Sequence, residues 1–254
     1  MGQGKLQANN KYRIIAIFFW IVVWQLASMK VNKEMLMASP FAVIGALIDL
    51  VGKTLFWKSI FYSFIKIVCG FCLGILSGTL LAILSYCNIV FREMISPLIK
   101  IVKATPVASF IILALLWVRS ANLSILIAFL MVIPVIYINV LQGLHSTDRK
   151  LLEMAKVFEI SWFKKVRYIY TPAVMPYFVS ACSVGLGFCW KSGIAAEVIG
   201  LPKNSIGEQL YEAKIYLMTK ELFAWTIVII IISVVFEKLV MWLLKLLQSI
   251  LIQD

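Results

Sequence analysis

Six long apolar runs, separated by short segments rich in lysine and arginine, constrain this chain more than any other feature. They fall at residues 14–29, 61–86, from Pro97 or Pro106 to Val118, 122–141, 173–196 and 222–247. A helix that crosses the hydrocarbon core of a bilayer needs roughly 20 predominantly apolar residues, and most of these runs approach or exceed that. Composition agrees. Of the 254 residues 62% are hydrophobic and 14% charged, against about 45–50% and about 25% in ordinary soluble domains. The expectation is an all-α integral membrane protein with about six transmembrane helices, forming a single transmembrane domain over residues 1–254.

The net charge of +12 does not point to nucleic acid, because the basic residues sit in separate segments between apolar runs rather than on one soluble face. They report orientation instead. Lys5, Lys11, Arg13, Arg92, Lys100, Lys103, Lys238, Lys245 and the basic residues of 145–172 fall on one side of a six-span topology. Lys30, Lys33, Lys53, Lys58, Arg119, Lys203, Lys214 and Lys220 fall on the other. The bias predicts both termini in the cytoplasm (N-in/C-in), with 30–57 and 197–221 as external segments.

Catalytic chemistry is hard to find. The pair Cys69 and Cys72 spells C-x-x-C inside an apolar run. With one histidine in the chain and no second pair, it does not complete a four-ligand zinc site. All five cysteines read as apolar filling. The run from Gly185 to Ser192 resembles a phosphate loop at a glance, but a Walker loop needs glycine before its lysine and Trp190 stands there. No paired carboxylates or nucleophile elbow is visible. The first apolar run is too long for a signal-peptide core and lacks a small-residue cleavage motif, so no cleaved leader is expected.

Within the spans, Lys66, Gly70, Gly74 and Gly78 recur every fourth residue. That stripe lets a second helix approach closely; Lys66 reads first as a lysine snorkelling to the interface and second as a candidate for lining a solute path. Pro134 falls in the middle of the fourth run, and Pro106 predicts a broken or kinked start to the third. Ser39-Pro40 opens an amphipathic stretch containing Phe41, Val43, Ile44, Ala46, Leu47, Leu50 and Val51, expected to lie at the interface.

The longest polar interval, 145–172, reads HSTDRKLLEMAKVFEISWFKKVRYIYTP. Leu151, Leu152, Met154, Ala155 and Phe158 recur at helical spacing, as do Trp162, Val166 and Ile169. Asp148 stands where an acid favours a helix start. The pattern predicts a short helix, a turn near Ile160–Ser161, and a second helix running into the fifth span. A half-apolar helix outside the membrane needs something to dock into.

This interval resembles the cytoplasmic loop of binding-protein-dependent ABC importer permeases, written E-A-A, three residues, G, nine residues, I-x-L-P. Glu153, Ala155, Ile169 and Pro172 match in register. Met154 replaces the first alanine, Glu159 the glycine and Thr171 the leucine. Glycine permits a positive-φ turn, so Glu159 leaves the turn geometry open. Other segments are similar to the nitrate/sulfonate/taurine-type subfamily. These are Ser39-Pro40, Ala104-Thr105-Pro106 through Leu116-Trp117, Gly143-Leu144, Trp190-Lys191-Ser192 through Glu197, and Ser205-Ile206-Gly207.

The resemblance implies a type I importer permease fold in a prokaryotic plasma membrane. It also implies a second permease subunit, homo- or heterodimeric, two cytoplasmic ATPase subunits that carry the ATP and magnesium, and an external solute-binding protein. This chain itself would hold no cofactor or metal and would not be an enzyme. The 145–172 loop would couple to the ATPases through Asp148, Leu152, Glu153, Met154, Ala155, Phe158, Glu159 and Pro172. Candidates for the solute path are Lys66, Trp190, Lys191, Ser192 and Glu197. Lys191 is expected to snorkel or to pair with an acid such as Glu197, and the solute to be a small anion or zwitterion such as a sulfonate or nitrate-like compound. The rival readings are an ATP-independent secondary transporter or channel, and a membrane enzyme with no visible catalytic residues.

Overall fold

A computed structural model describes residues 10–31 and 36–252. Lys5 and Lys33, used above for orientation, lie outside the described residues, as do residues 32–35 of the expected external segment and the side chains of Lys11 and Arg13. Among the described residues every regular element is a helix. In order these are α1 (Asn10–Val31), α2 (Pro40–Val51), α3 (Thr54–Cys87), α4 (Ile89–Ala104), α5 (Val107–Ala114), α6 (Ser120–His145), α7 (Arg149–Val157), α8 (Trp162–Lys165), α9 (Thr171–Gly200), α10 (Ile206–Ile215) and α11 (Thr219–Ile252). A π-helical turn, Val166–Tyr170, joins α8 to α9.

Four helical stretches are long and apolar enough to cross a bilayer: Thr54–Cys87, Ser120–His145, Trp162–Gly200 and Thr219–Leu246. The expected first span lies in the helix Asn10–Val31, whose described apolar stretch Ile15–Val31 is shorter than these, so among the described residues four spans, or five with one bent pair, are long enough against the six expected. The expected third span is not one straight helix. It is the pair α4 and α5, bent by 104° at a short break. The reason is local. Pro106 has no N–H to continue α4 and biases Thr105 away from helical geometry, and Thr105 is extended at φ −73°, ψ 129°. Pro134, by contrast, sits inside an uninterrupted α6.

The chain packs as two compact units, Met1–Trp57 with Gln209–Val228, and Lys58–Glu208 with Ile229–Asp254. In the first, Ser39 caps α2 by accepting a hydrogen bond from Ala42 N at 3.2 Å, and Pro40 occupies the first turn. Val43, Ala46 and Leu50 are buried while Phe41, Ile44 and Ile48 are exposed. An amphipathic helix with an exposed apolar edge suits the lipid interface. The Trp24 indole donates to the Ala38 carbonyl at 3.1 Å, and Trp24 stacks near Phe223 and Phe56 near Trp225.

In the second unit the glycine stripe meets α6. A Cβ added at Gly70 would lie 2.5 Å from the Ile125 carbonyl oxygen, one at Gly74 2.7 Å from Val132 Cβ, and one at Gly78 2.9 Å from Ile136 Cβ. Gly70 also meets Ala128 Cβ at 2.8 Å, so steps of four on α3 are matched by Ala128, Val132 and Ile136 on α6, and the two backbones approach along one seam. Phe64 and Phe71 of α3, Trp190 of α9 and Phe236 of α11 form an aromatic cluster with centroids 5.2–6.2 Å apart. Gly74→Val is expected to destabilise the protein by about 1–3 kcal/mol through overpacking. Gly187→Ala, which meets nothing within 4 Å, is expected to be neutral or stabilising by up to about 1 kcal/mol. Thermal unfolding of the two variants in detergent compares them.

Candidate functional site

The interval 145–172 folds as its periodicity predicts. Asp148 caps α7, its carboxylate accepting from Lys150 N at 2.9 Å. Helix α7 ends at Val157, and Glu159 then adopts the left-handed conformation, φ 49°. Ile160 N donates back to Ala155 O at 2.9 Å and Glu159 N to Lys156 O at 3.2 Å, the bonding that closes a helix through a left-handed residue. Glu159 thus takes the turn for which the family pattern supplies glycine, at a conformational cost of about 1–2 kcal/mol for an L-residue.

Beyond the turn, α8 and the π-turn lead directly into α9. Pro172 has no N–H, and its ring would crowd the carbonyl of the preceding turn. The backbone there widens so that Thr171 N and Oγ1 both donate to Val166 O. Rings tie the base of the loop to the bundle: Tyr86 against His145 (5.3 Å) and Tyr170 (6.0 Å), and Trp162 against Tyr170 (6.1 Å).

The outer face of the loop is apolar. Leu151, Met154 and Val157 on α7, Phe158 just after it, and Trp162 and Phe163 on α8 are exposed, with Val157 at 79% and Phe163 at 74%. Glu153 and Glu159 are exposed beside them, and Leu152 is half-buried. Ala155 departs from the expected set. It is wholly buried within this chain, because it lies one position past Met154 and so on the inner face of α7. Val157 and Phe163 were missed because the motif does not include them, although the helical period carried Val157 at three residues from Met154.

The candidate path residues do not gather in one place. Lys66 Nζ donates to Asn122 Oδ1 at 2.9 Å and lies over the Tyr62 ring. Lys191 is exposed. Trp190 is buried in the aromatic cluster, and Ser192 is buried and donates to Phe188 O at 2.8 Å. Glu197 is fully buried, and its partner is not Lys191. Its Oε2 accepts from Ser63 Oγ at 2.6 Å and from Gly207 N at 3.3 Å, while Ser63 Oγ accepts from Ile206 N at 2.9 Å. Six residues separate Lys191 from Glu197, which turns them to different sides of the helix.

This arrangement joins two segments that the sequence offered separately. Ser205 opens α10, its hydroxyl accepting from Glu208 N at 3.0 Å, and Glu208 reaches back to Asn204 N at 2.6 Å. A Cβ at Gly207 would collide with Glu197, so the glycine is what lets the backbone N–H reach the carboxylate. The Glu197 cluster therefore pins α3, α9 and the start of α10 together.

A cavity of about 480 Å³ opens at the α4–α5 break. Val102, Lys103, Thr105 and Val107 line it on one side; α6 lines it from Leu130 to Asn139 and α9 at Val184 and Phe188. Pro134 and Val184 are midway along their helices. Lys103, grouped above with the cytoplasmic basic residues, thus stands against the middle of two spans.

Residues 70–252 match the family described as the inner membrane component of binding-protein-dependent transport systems. The chain belongs to this family. It is a multi-pass membrane permease subunit of the ABC importer type, in a family that works with ATPase and binding-protein components. It is 24% identical over 216 residues to SsuC of Bacillus subtilis, named for aliphatic sulfonates transport (84% of this chain, 78% of that one). It is 22% identical over 222 residues to the taurine transport system permease TauC of Escherichia coli (85% and 80%). It is 24% identical over 209 residues to the bicarbonate transport system permease CmpB of Synechococcus elongatus (82% and 73%). A crystal structure of an amino acid ABC transporter aligns with a TM-score of 0.59 at 18% identity, covering 77% of this chain and 93% of that one. It has the same fold.

Three variants test the local geometry. Glu197→Gln keeps an acceptor for Ser63 and Gly207 and is expected to cost under about 1 kcal/mol. Glu197→Ala strands both donors in a buried site and is expected to cost about 2–4 kcal/mol. Glu159→Gly is expected to stabilise the permease by about 0.5–1 kcal/mol through relief of the left-handed backbone. Unfolding midpoints in detergent measure all three.

Proposed function

We propose that this permease forms a translocation pore as a dimer in a prokaryotic plasma membrane, with N-in/C-in orientation, and imports a small anionic or zwitterionic solute. The exposed apolar stripe on the 145–172 loop carries the coupling part of this reading. Met154, Val157 and Phe158 are apolar, exposed and outside the candidate spans, and the exposed Trp162 and Phe163 open the stretch that runs into the fifth span. Burying each is worth about 1.5–3 kcal/mol, so the natural occupant of this face is a groove on each cytoplasmic ATPase subunit. Glu153 and the flanking Lys150, Lys156 and Lys164 orient the loop by charge. Asp148, Glu159 and Pro172 shape it, Leu152 and Ala155 pack it inward, and Met154 and Phe158 dock.

The solute class rests on relatives named for sulfonates, taurine and bicarbonate. Among the proposed path residues, Lys66 and Lys191 keep cationic groups available at helix surfaces. Trp190, Ser192 and Glu197 act by holding α9 in place. In the cycle, ATP-driven closure of the two ATPases draws both loops together. The spans attached at Leu141 and Pro172 move as rigid bodies, and the cavity changes the side to which it opens.

Changing Met154, Val157 and Phe158 together to glutamate is expected to lower the ATPase subunits that co-purify with tagged permease by at least about tenfold, since several kcal/mol of burial is lost. The single Glu153→Gln variant is expected to keep the complex and weaken solute-stimulated ATP hydrolysis. Full retention of both properties in the triple variant removes the coupling assignment. A stable unmutated permease that co-purifies with no ATPase subunit likewise overturns the coupling reading.

A further inference from the structure

The cavity at the α4–α5 break combines features that are costly together unless a ligand uses them. It lies against the midpoints of α6 and α9, a depth at which a charged side chain is expensive and marks a pathway. Lys103 lines it and has no hydrogen-bond or ion partner among the described residues. No carboxylate is among the residues that line it. Irregular backbone at membrane depth is tolerated where it borders a cavity, and here Thr105 and Pro106 form such a break.

The rest of the lining sharpens the chemistry. Helix α5 begins at the same break with no side-chain cap, so its first N–H groups offset the carbonyl end of α4, in whose last turn Lys103 sits. Asn139 uses one amide N–H on Val135 O at 2.8 Å, leaving its second for a ligand. The Thr105 hydroxyl donates to Ile101 O at 2.8 Å, so its proton is engaged and it is not a donor to the cavity. The remaining wall is Val102, Leu130, Met131, Val135, Ile138, Val184 and Phe188, whose low polarity strengthens any ion contact. A volume of about 480 Å³ is within the usual range of small-molecule sites.

We propose that this cavity is a binding site for the anionic group of the transported solute, with Lys103 as its counter-charge and the Asn139 amide as its hydrogen-bond donor. The proposal deepens the importer reading and takes its transport meaning from it: the missing negative charge of the site is the one the cargo brings.

The test uses the detergent-purified permease with its ATPase subunits. The exposed cysteines Cys69, Cys72 and Cys87 are replaced by serine, the buried Cys182 and Cys189 are kept, and Met131→Cys places one thiol in the cavity wall. Its reaction rates with an anionic reagent, sulfonatoethyl methanethiosulfonate, and a cationic one, aminoethyl methanethiosulfonate, are each divided by the rate with a free thiol. The anionic-over-cationic ratio is expected to fall at least about tenfold in Lys103→Gln and to return in Lys103→Arg. At constant ionic strength, at least one of millimolar methanesulfonate, nitrate or bicarbonate is expected to slow the anionic reagent with Lys103 present and not in Lys103→Gln. Val135→Cys repeats the measurement should Met131→Cys not assemble.

A ratio unchanged within twofold overturns the proposal, as does failure of all three anions to protect. So does a cysteine unreactive to both reagents in an assembled complex. Retention of the ATPase subunits is scored separately, so loss of the importer reading is distinguished from loss of the anion site.

Discussion

A peptide group in hydrocarbon has no water to bond, and each one left unpaired costs several kcal/mol. The chain meets this constraint with continuous helices through its apolar windows, and most of its other features follow. With backbone polarity satisfied inside each helix, α3 and α6 gain contact by approaching at Gly70, Gly74 and Gly78, because lipid supplies no hydrophobic drive for helix association. Where the backbone is interrupted, at Thr105–Pro106, it borders a cavity. Where a carboxylate is enclosed, at Glu197, a serine hydroxyl and a backbone N–H are brought to it.

Much of this was legible in the sequence, and the reasons are physical. The apolar windows, the α2 amphipathic helix and the glycine stripe depend on local periodicity, which the chain displays residue by residue. The two helices of the 145–172 loop were legible for the same reason. The conformation of Glu159 was not, since an L-residue at positive φ is held there by the bonds around it rather than by its own preference. Three-dimensional convergence was also hidden. Nothing local says that Ser63, Glu197 and Gly207 meet, because 134 residues separate the first pair. Lys103 was read by its place between apolar runs as a flanking charge. Pro106 announces a break but not its angle of 104°, and it is the angle that sets Lys103 beside a cavity at the middle of two spans.

The two faces of α7 show why a motif is coarser than a surface. A helix short enough to hold one apolar stripe inward and one outward divides its residues by about 100° steps. Ala155 belongs to the inward stripe and fixes the helix to its own chain, while Met154, Val157 and Phe158 belong to the outward one. Pattern matching ranks these positions alike, and packing separates them.

The stretch Trp162–Gly200 is helical without a break, since the π-turn absorbs Pro172 instead of ending the helix. It begins in the loop and ends beside the Glu197 cluster. At about 1.5 Å per residue it is a rod roughly 55–60 Å long. A tilt of about 10° about its centre would carry each tip about 5 Å in opposite directions, the scale of one helical turn. The element is thus a balanced arm: a displacement of its loop end would reach its other end at the same size and in the opposite direction.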